Sequence, residues 1–143
     1  MIEEVDAKLR AMADSAVPSA QFSFDPPGDK PGVSAYLFDL LPTQPSRGNG
    51  RAPLQFTARY LVTAVGESAE AAHVILEQLA FAALESSELE ADFEPLPAAA
   101  WSAFGLAPRP SFFVKALVQR SRAEPETPLV RSPLVVEISQ KGS

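Results

Sequence analysis

Apolar residues open the chain at Ile2, Val5, Leu9, Met12 and Ala16. Steps of three and four residues put them on one stripe of a 3.6-residue period, so the pattern predicts an amphipathic helix over 2–16. The period then falls to two. Phe22 and Phe24 alternate with polar neighbours in a short strand. Residues 33–41 are apolar at adjacent positions, the pattern of an inner strand with both faces covered. From Leu54 the even positions Phe56, Ala58, Tyr60, Val62 and Ala64 are apolar, while Gln55, Thr57 and Arg59 fall between them. That alternation predicts a long, half-buried strand.

The helical period returns after Ser68, which is placed to cap a helix with Glu70 near its positive end. Its core stripe is Ala72, Ile75, Leu76, Leu79 and Ala83, and it runs to about Leu84. A shorter helix covers 98–104 and stops at Gly105 in the C′ position. Two strands close the pattern. The first covers 111–120, with Phe112, Val114, Ala116 and Val118 on one face; the second covers 134–138. Fourteen prolines, about twice the usual frequency, sit in clusters between these elements. Proline ends helices and ladders because it lacks an N–H, so the clusters mark the loops. The loop over 42–53, with Gly48-Asn49-Gly50 at its centre, is too long for a tight hairpin. The order α-β-β-β-α-α-β-β lacks strict alternation. It predicts one α+β domain over 1–143, with a mostly antiparallel or mixed sheet of four to five strands packed by two to three helices.

Composition narrows the chemistry. The 143 residues suit one domain, and 46% apolar with 21% charged residues is the balance of a globular protein. The absence of cysteine excludes disulfides, thiolate zinc sites and thiol nucleophiles. Met1-Ile2-Glu3-Glu4 carries acids where a signal peptide carries bases, and no apolar run reaches about 20 residues. The expectation is a protein neither exported by a classical signal nor embedded in a membrane. A net charge of -6 argues against nucleic acid as a partner.

No catalytic constellation emerges. His73 is the single histidine, and with neither a second one nor a thiol the usual zinc sets cannot be built. Nucleotide-binding glycine motifs and the hydrolase elbow are missing. Asp25 and Asp29 flank Pro26-Pro27-Gly28 without calcium-loop spacing and read as a turn. Glu85, Glu88, Glu90, Asp92 and Glu94 form a row of acids without neighbouring cations, which reads as a solvated surface. The expectation is a protein that is not an enzyme, with no catalytic, cofactor or metal residues.

Two features remain. No Lys or Arg lies between Arg59 and Arg109, a stretch that holds eight acids; the remainder has 12 basic residues against 10 acidic ones. One half of a copy is thus fitted to attract the other half of a second copy, although solvated acids explain the same pattern. On the second helix, Val74 and Phe81 point away from the core stripe and are flanked by Glu70 and Glu77. This is either a contact patch or a face that another helix folds over. Arg47 and Arg51, in the glycine-rich loop, are further contact candidates.

The pieces form a pattern in a fixed order. It opens with Ile2-Glu3-Glu4-Val5-Asp6-Ala7-Lys8-Leu9-Arg10, Phe24-Asp25-Pro26-Pro27 and Pro31-Gly32-Val33-Ser34-Ala35-Tyr36-Leu37-Phe38-Asp39. It continues with Ala58-Arg59-Tyr60-Leu61-Val62-Thr63-Ala64 and the following helix with His73 and Leu76, then Leu96-Pro97, Trp101, Phe104-Gly105, Pro108-Arg109-Pro110 and Pro133-Leu134-Val135-Val136. This resembles the tail-terminator, or cap, proteins of extracellular contractile injection systems of the antifeeding-prophage and virulence-cassette type. Phage tail terminators are more distant relatives. The resemblance covers almost the whole chain. It implies a structural subunit without a cofactor, one that forms a ring, a hexamer, with copies of itself on the tube and sheath proteins. The expected setting is the cytoplasm during assembly and then the particle, and charge and the lack of a long apolar run lead to the expectation of no nucleic-acid or membrane partner. A connector or baseplate-side ring, and a small peptide-binding adaptor, are the alternative readings.

Overall fold

The computed structural model describes residues 1–43 and 53–121. Helix α1 (Ile2–Ala16) leads into strands β1 (Phe22–Ser23), β2 (Gly32–Pro42) and β3 (Leu54–Val65). Helix α2 (Ala69–Glu85), strand β4 (Glu90–Asp92), helix α3 (Ala98–Phe104) and strand β5 (Phe112–Arg120) follow. The five strands form one sheet in the order β1-β2-β3-β5-β4. β1 lies parallel to β2, and every other pair is antiparallel. This is the mixed α+β domain that the periodicity predicts.

Parity along the strands decides which side chains go where. Ala58, Tyr60 and Val62 of β3 and Phe112, Val114, Ala116 and Val118 of β5 face α1 and α2. There they meet Val5, Leu9 and Ala13 of α1 and Leu79 and Ala83 of α2, all buried. The opposite face has a smaller cluster in which Leu61 and Phe113 pack against Trp101 of α3 and Leu96. β3 is therefore half-buried only in its first part. From Tyr60 to Thr63 every residue is buried, because α3 covers the far end of the second face.

β4 is the element that the sequence hides. Three residues, two of them acidic, carry no readable period, and the structure pairs them with Lys115, Val114 and Phe113 of β5. The helix boundaries agree with the capping chemistry. Ser68 Oγ accepts the Ala71 N–H at 3.1 Å, and Gly105 ends α3 at φ 72, a conformation favoured by glycine. At Gly32, with φ 134, a Cβ would stand 2.6 Å from the Gln21 carbonyl oxygen, which accepts the Val33 N–H. The predicted strand at 134–138 and the centre of the 42–53 loop lie outside the described residues.

A bulge in β2 explains why that strand shows no clean alternation. Leu37 pairs with Tyr60, but Asp39 pairs with Arg59, so Phe38 is an extra residue. Without it Asp39 would share the helix-side parity of Val33, Ala35 and Leu37. The inserted residue turns Asp39 to the second face beside Arg59 and sends Leu40 to the helix side, paired with Ala58.

Candidate assembly surfaces

α2 carries apolar residues on its outer face, among its charged ones, as well as along its inner stripe, where a surface helix ordinarily confines them to the inner one. Its inner stripe is covered, with Leu79 and Ala83 about 1% exposed. Its outer stripe is not: Val74, Phe81 and Leu84 are 54%, 60% and 57% exposed. Neither α1 nor α3 folds over it, so the described residues leave this face open. Glu70, Glu77 and Glu85 are exposed along the same helix. His73 is exposed on the flank of α2. Arg47 and Arg51 lie outside the described residues.

The second sheet face presents a different surface beyond the reach of α3. Arg59 at its centre donates from Nε to Asp39 Oδ1 at 2.8 Å and from Nη2 to Asp39 Oδ2 at 2.7 Å. Glu94 approaches the same guanidinium at 3.8 Å. The guanidinium lies 4.2 Å from the ring centre of Phe113 and 5.5 Å from that of Phe38. The planar fork satisfies a carboxylate while its faces rest on aromatic rings, an arrangement that lysine cannot reproduce. The Asp39 hydrogen bonds hold the Arg59 pKa above its ordinary value. Lys115 stands beside it on β5, 3.6 Å from Glu90 and 3.7 Å from Asp92. Of the acids expected to stand solvated without neighbouring cations, Glu88, Glu90 and Glu94 are largely exposed. Yet Glu94 meets Arg59 of β3, Glu90 and Asp92 meet Lys115 of β5, and Glu88 meets Lys8 of α1. The register of β4 brings the β3 and β5 pairs together, and nothing in the linear pattern announces it.

A third surface lies at the edge of the sheet. β4 pairs with Phe113 to Lys115 only, so among the described residues no strand pairs with the outer edge of β5 from Ala116 to Arg120. A groove of about 600 Å³ wraps this edge, with Ala83, Leu84 and Leu89 on the helix side and Thr57 and Leu117 on the other. Leu117 is 48% exposed. None of these surfaces gathers a nucleophile with a base. No described helix is long and apolar enough to cross a membrane.

No family model and no curated protein matches the chain. Solved structures do, and they define the class of fold: it is that of tube and sheath terminators. One is the sheath/tube terminator of an extracellular contractile injection system, PVC, in its extended state. It matches at a TM-score of 0.65 and 20% identity, over 96% of this chain and 63% of that one. Another is the anti-feeding prophage cap, a tube-terminating cap, at a TM-score of 0.69 and 16% identity, over 96% of this chain and 62% of that one. The chain thus spans a little over three fifths of the length of each.

Proposed function

We propose that this chain is a structural cap subunit that terminates the tube and sheath of a contractile injection particle and has no enzymatic role. The observation that carries the reading is the shared fold: 96% of the chain follows the backbone of two terminators. A ring of identical copies, a hexamer, is the form in which one domain of this size covers a tube end. Closed rings use heterologous contacts between unlike faces of one subunit. The open face of α2, with Val74 and Phe81 between Glu70 and Glu77, supplies one such face. Arg47 and Arg51, and the basic residues outside the acidic stretch, supply charge of the opposite sign. A tube built from stacked rings presents the same end after each addition. A subunit that binds that end and offers the next ring nothing to bind sets the length. On this reading the protein assembles in the cytoplasm and leaves it as part of the particle.

Electron microscopy of particles from a deletion strain tests the proposal. The expected result is over-long or ragged tubes, or sheaths that detach or contract early. Particles of normal, uniform length with normally closed ends would overturn it.

A further inference from the structure

The outer edge of β5 is built to receive a strand, and we propose that residues 134–138 of a neighbouring copy fill it, stitching adjacent subunits together. This rests on the ring reading and specifies one of its contacts.

An unpaired edge offers a ready ladder of N–H and C=O groups to another chain. Among the described residues the sheet has a second open stretch, on β2, where β1 pairs only with Val33 and Ser34. That edge carries the bulge at Phe38 and ends in Pro42, two features that blunt strand addition. The β5 edge from Ala116 to Arg120 has neither, and the groove gives an incoming strand walls on both faces.

Length and parity select the occupant. Among the described residues, five residues of β5 have no partner on their outer edge, and Leu134-Val135-Val136-Glu137-Ile138 is five residues long. Laid antiparallel, Leu134 stands opposite Arg120 and Ile138 opposite Ala116. Leu134, Val136 and Ile138 then share the helix-side parity of Val118 and Ala116, both in the core. Val135 lies beside Gln119 on the other face, and Glu137 lies beside Leu117, two residues from Lys115. A slip of one residue would drive Glu137 into the apolar side, so the alternation admits one parity only.

The connection indicates whose edge is filled. Residues 121–133 include Pro125, Pro128 and Pro133. Thirteen residues far exceed the two to five of a usual hairpin loop, so a return to the copy's own edge is disfavoured. A proline-rich stretch of that length extends about 40 Å at about 3.1 Å per residue. A folded unit of this size is roughly 35–40 Å across, so the stretch reaches the same edge on the next copy.

The chain has no cysteine, which makes a cross-linking test clean. Gln119→Cys and Val135→Cys are made separately in the full chain, mixed in equal amounts and treated with a short bis-maleimide. The expected product is a covalent dimer present only in the mixture. The double variant is expected to give a ladder of multimers. Leu117→Cys with Glu137→Cys is a second pair on the same face, should the first perturb folding. A cross-link confined within the monomer of the double variant would overturn the proposal, since the segment would then serve its own edge. So would the absence of any cross-link from both pairs. The solution mass of the untreated protein separates the two readings. A ring mass without the mixed dimer sinks the strand contact alone, whereas a monomer mass sinks the ring as well.

Discussion

The two faces of the sheet hold the fold together by different means. The helix side is a continuous apolar layer, where Leu9, Tyr60, Leu79, Phe112 and Val114 are almost wholly buried. The second face is apolar only under α3. Elsewhere it is a network in which Arg59 binds Asp39 and rests on Phe38 and Phe113. Apolar burial is non-directional and tolerates conservative exchange, whereas a bidentate ion pair needs both partners in one geometry. The first face decides that the chain folds. The second fixes the register of β2, β3, β4 and β5 and leaves a polar, solvent-facing surface.

Mutations sharpen this contrast. Phe112→Ala removes a ring from the helix-side layer and is expected to cost about 3–5 kcal/mol, read by chemical denaturation. A loss under about 1 kcal/mol would mean that this layer is not the main core. Arg59→Met keeps the apolar stem but strands Asp39, with an expected cost of about 1–3 kcal/mol. A double-mutant cycle with Asp39→Asn isolates the pair, and additive losses would deny the coupling.

Tyr60→Phe probes a polar contact on the apolar side. The Tyr60 hydroxyl donates to Asp6 Oδ1 at 2.6 Å, and its loss is expected to cost about 1 kcal/mol. Burial first, and then the Asp6 hydrogen bond, raise the phenol pKa above its ordinary value near 10. Above pH 10 the unfolded chain releases this proton while the folded one keeps it, so stability falls as pH rises. The stability curve of Tyr60→Phe is expected to be flatter over that alkaline range. Phe81→Ala has the smallest expected effect on stability, within about 0.5 kcal/mol, because the ring is already exposed. It is expected to weaken assembly on tube ends, measured by sedimentation with tubes. A stability loss of several kcal/mol with assembly intact would remove Phe81 from the proposed contact.

Much of this was legible in the sequence because period and parity are local properties. The stripe Val5, Leu9 and Met12, the cap at Ser68 and the stop at Gly105 all predict elements that the structure contains. The open face of α2 follows from Val74 and Phe81 pointing away from the core stripe, although sequence alone left its burial undecided. Arg59 with Asp39, and Lys115 with Glu90 and Asp92, were not legible as pairs. They join residues 20 or more apart through strand register, which depends on the bulge and on β4, and neither has a periodic signature. Arg59 stood out only as a charge between the apolar positions of a strand.

The extra residue at Phe38 has a consequence for how this protein tolerates change in length. Elsewhere in β2, losing one residue inverts every side chain beyond the gap and turns apolar groups to water. At Phe38 the loss merely closes the ladder, since Leu37 and Asp39 already oppose neighbouring residues of β3. The strand therefore has one position where its reading frame is elastic. Natural variants one residue shorter within the sheet are expected to have their gap there, with an uninterrupted strand and Phe113 left to pack against the guanidinium.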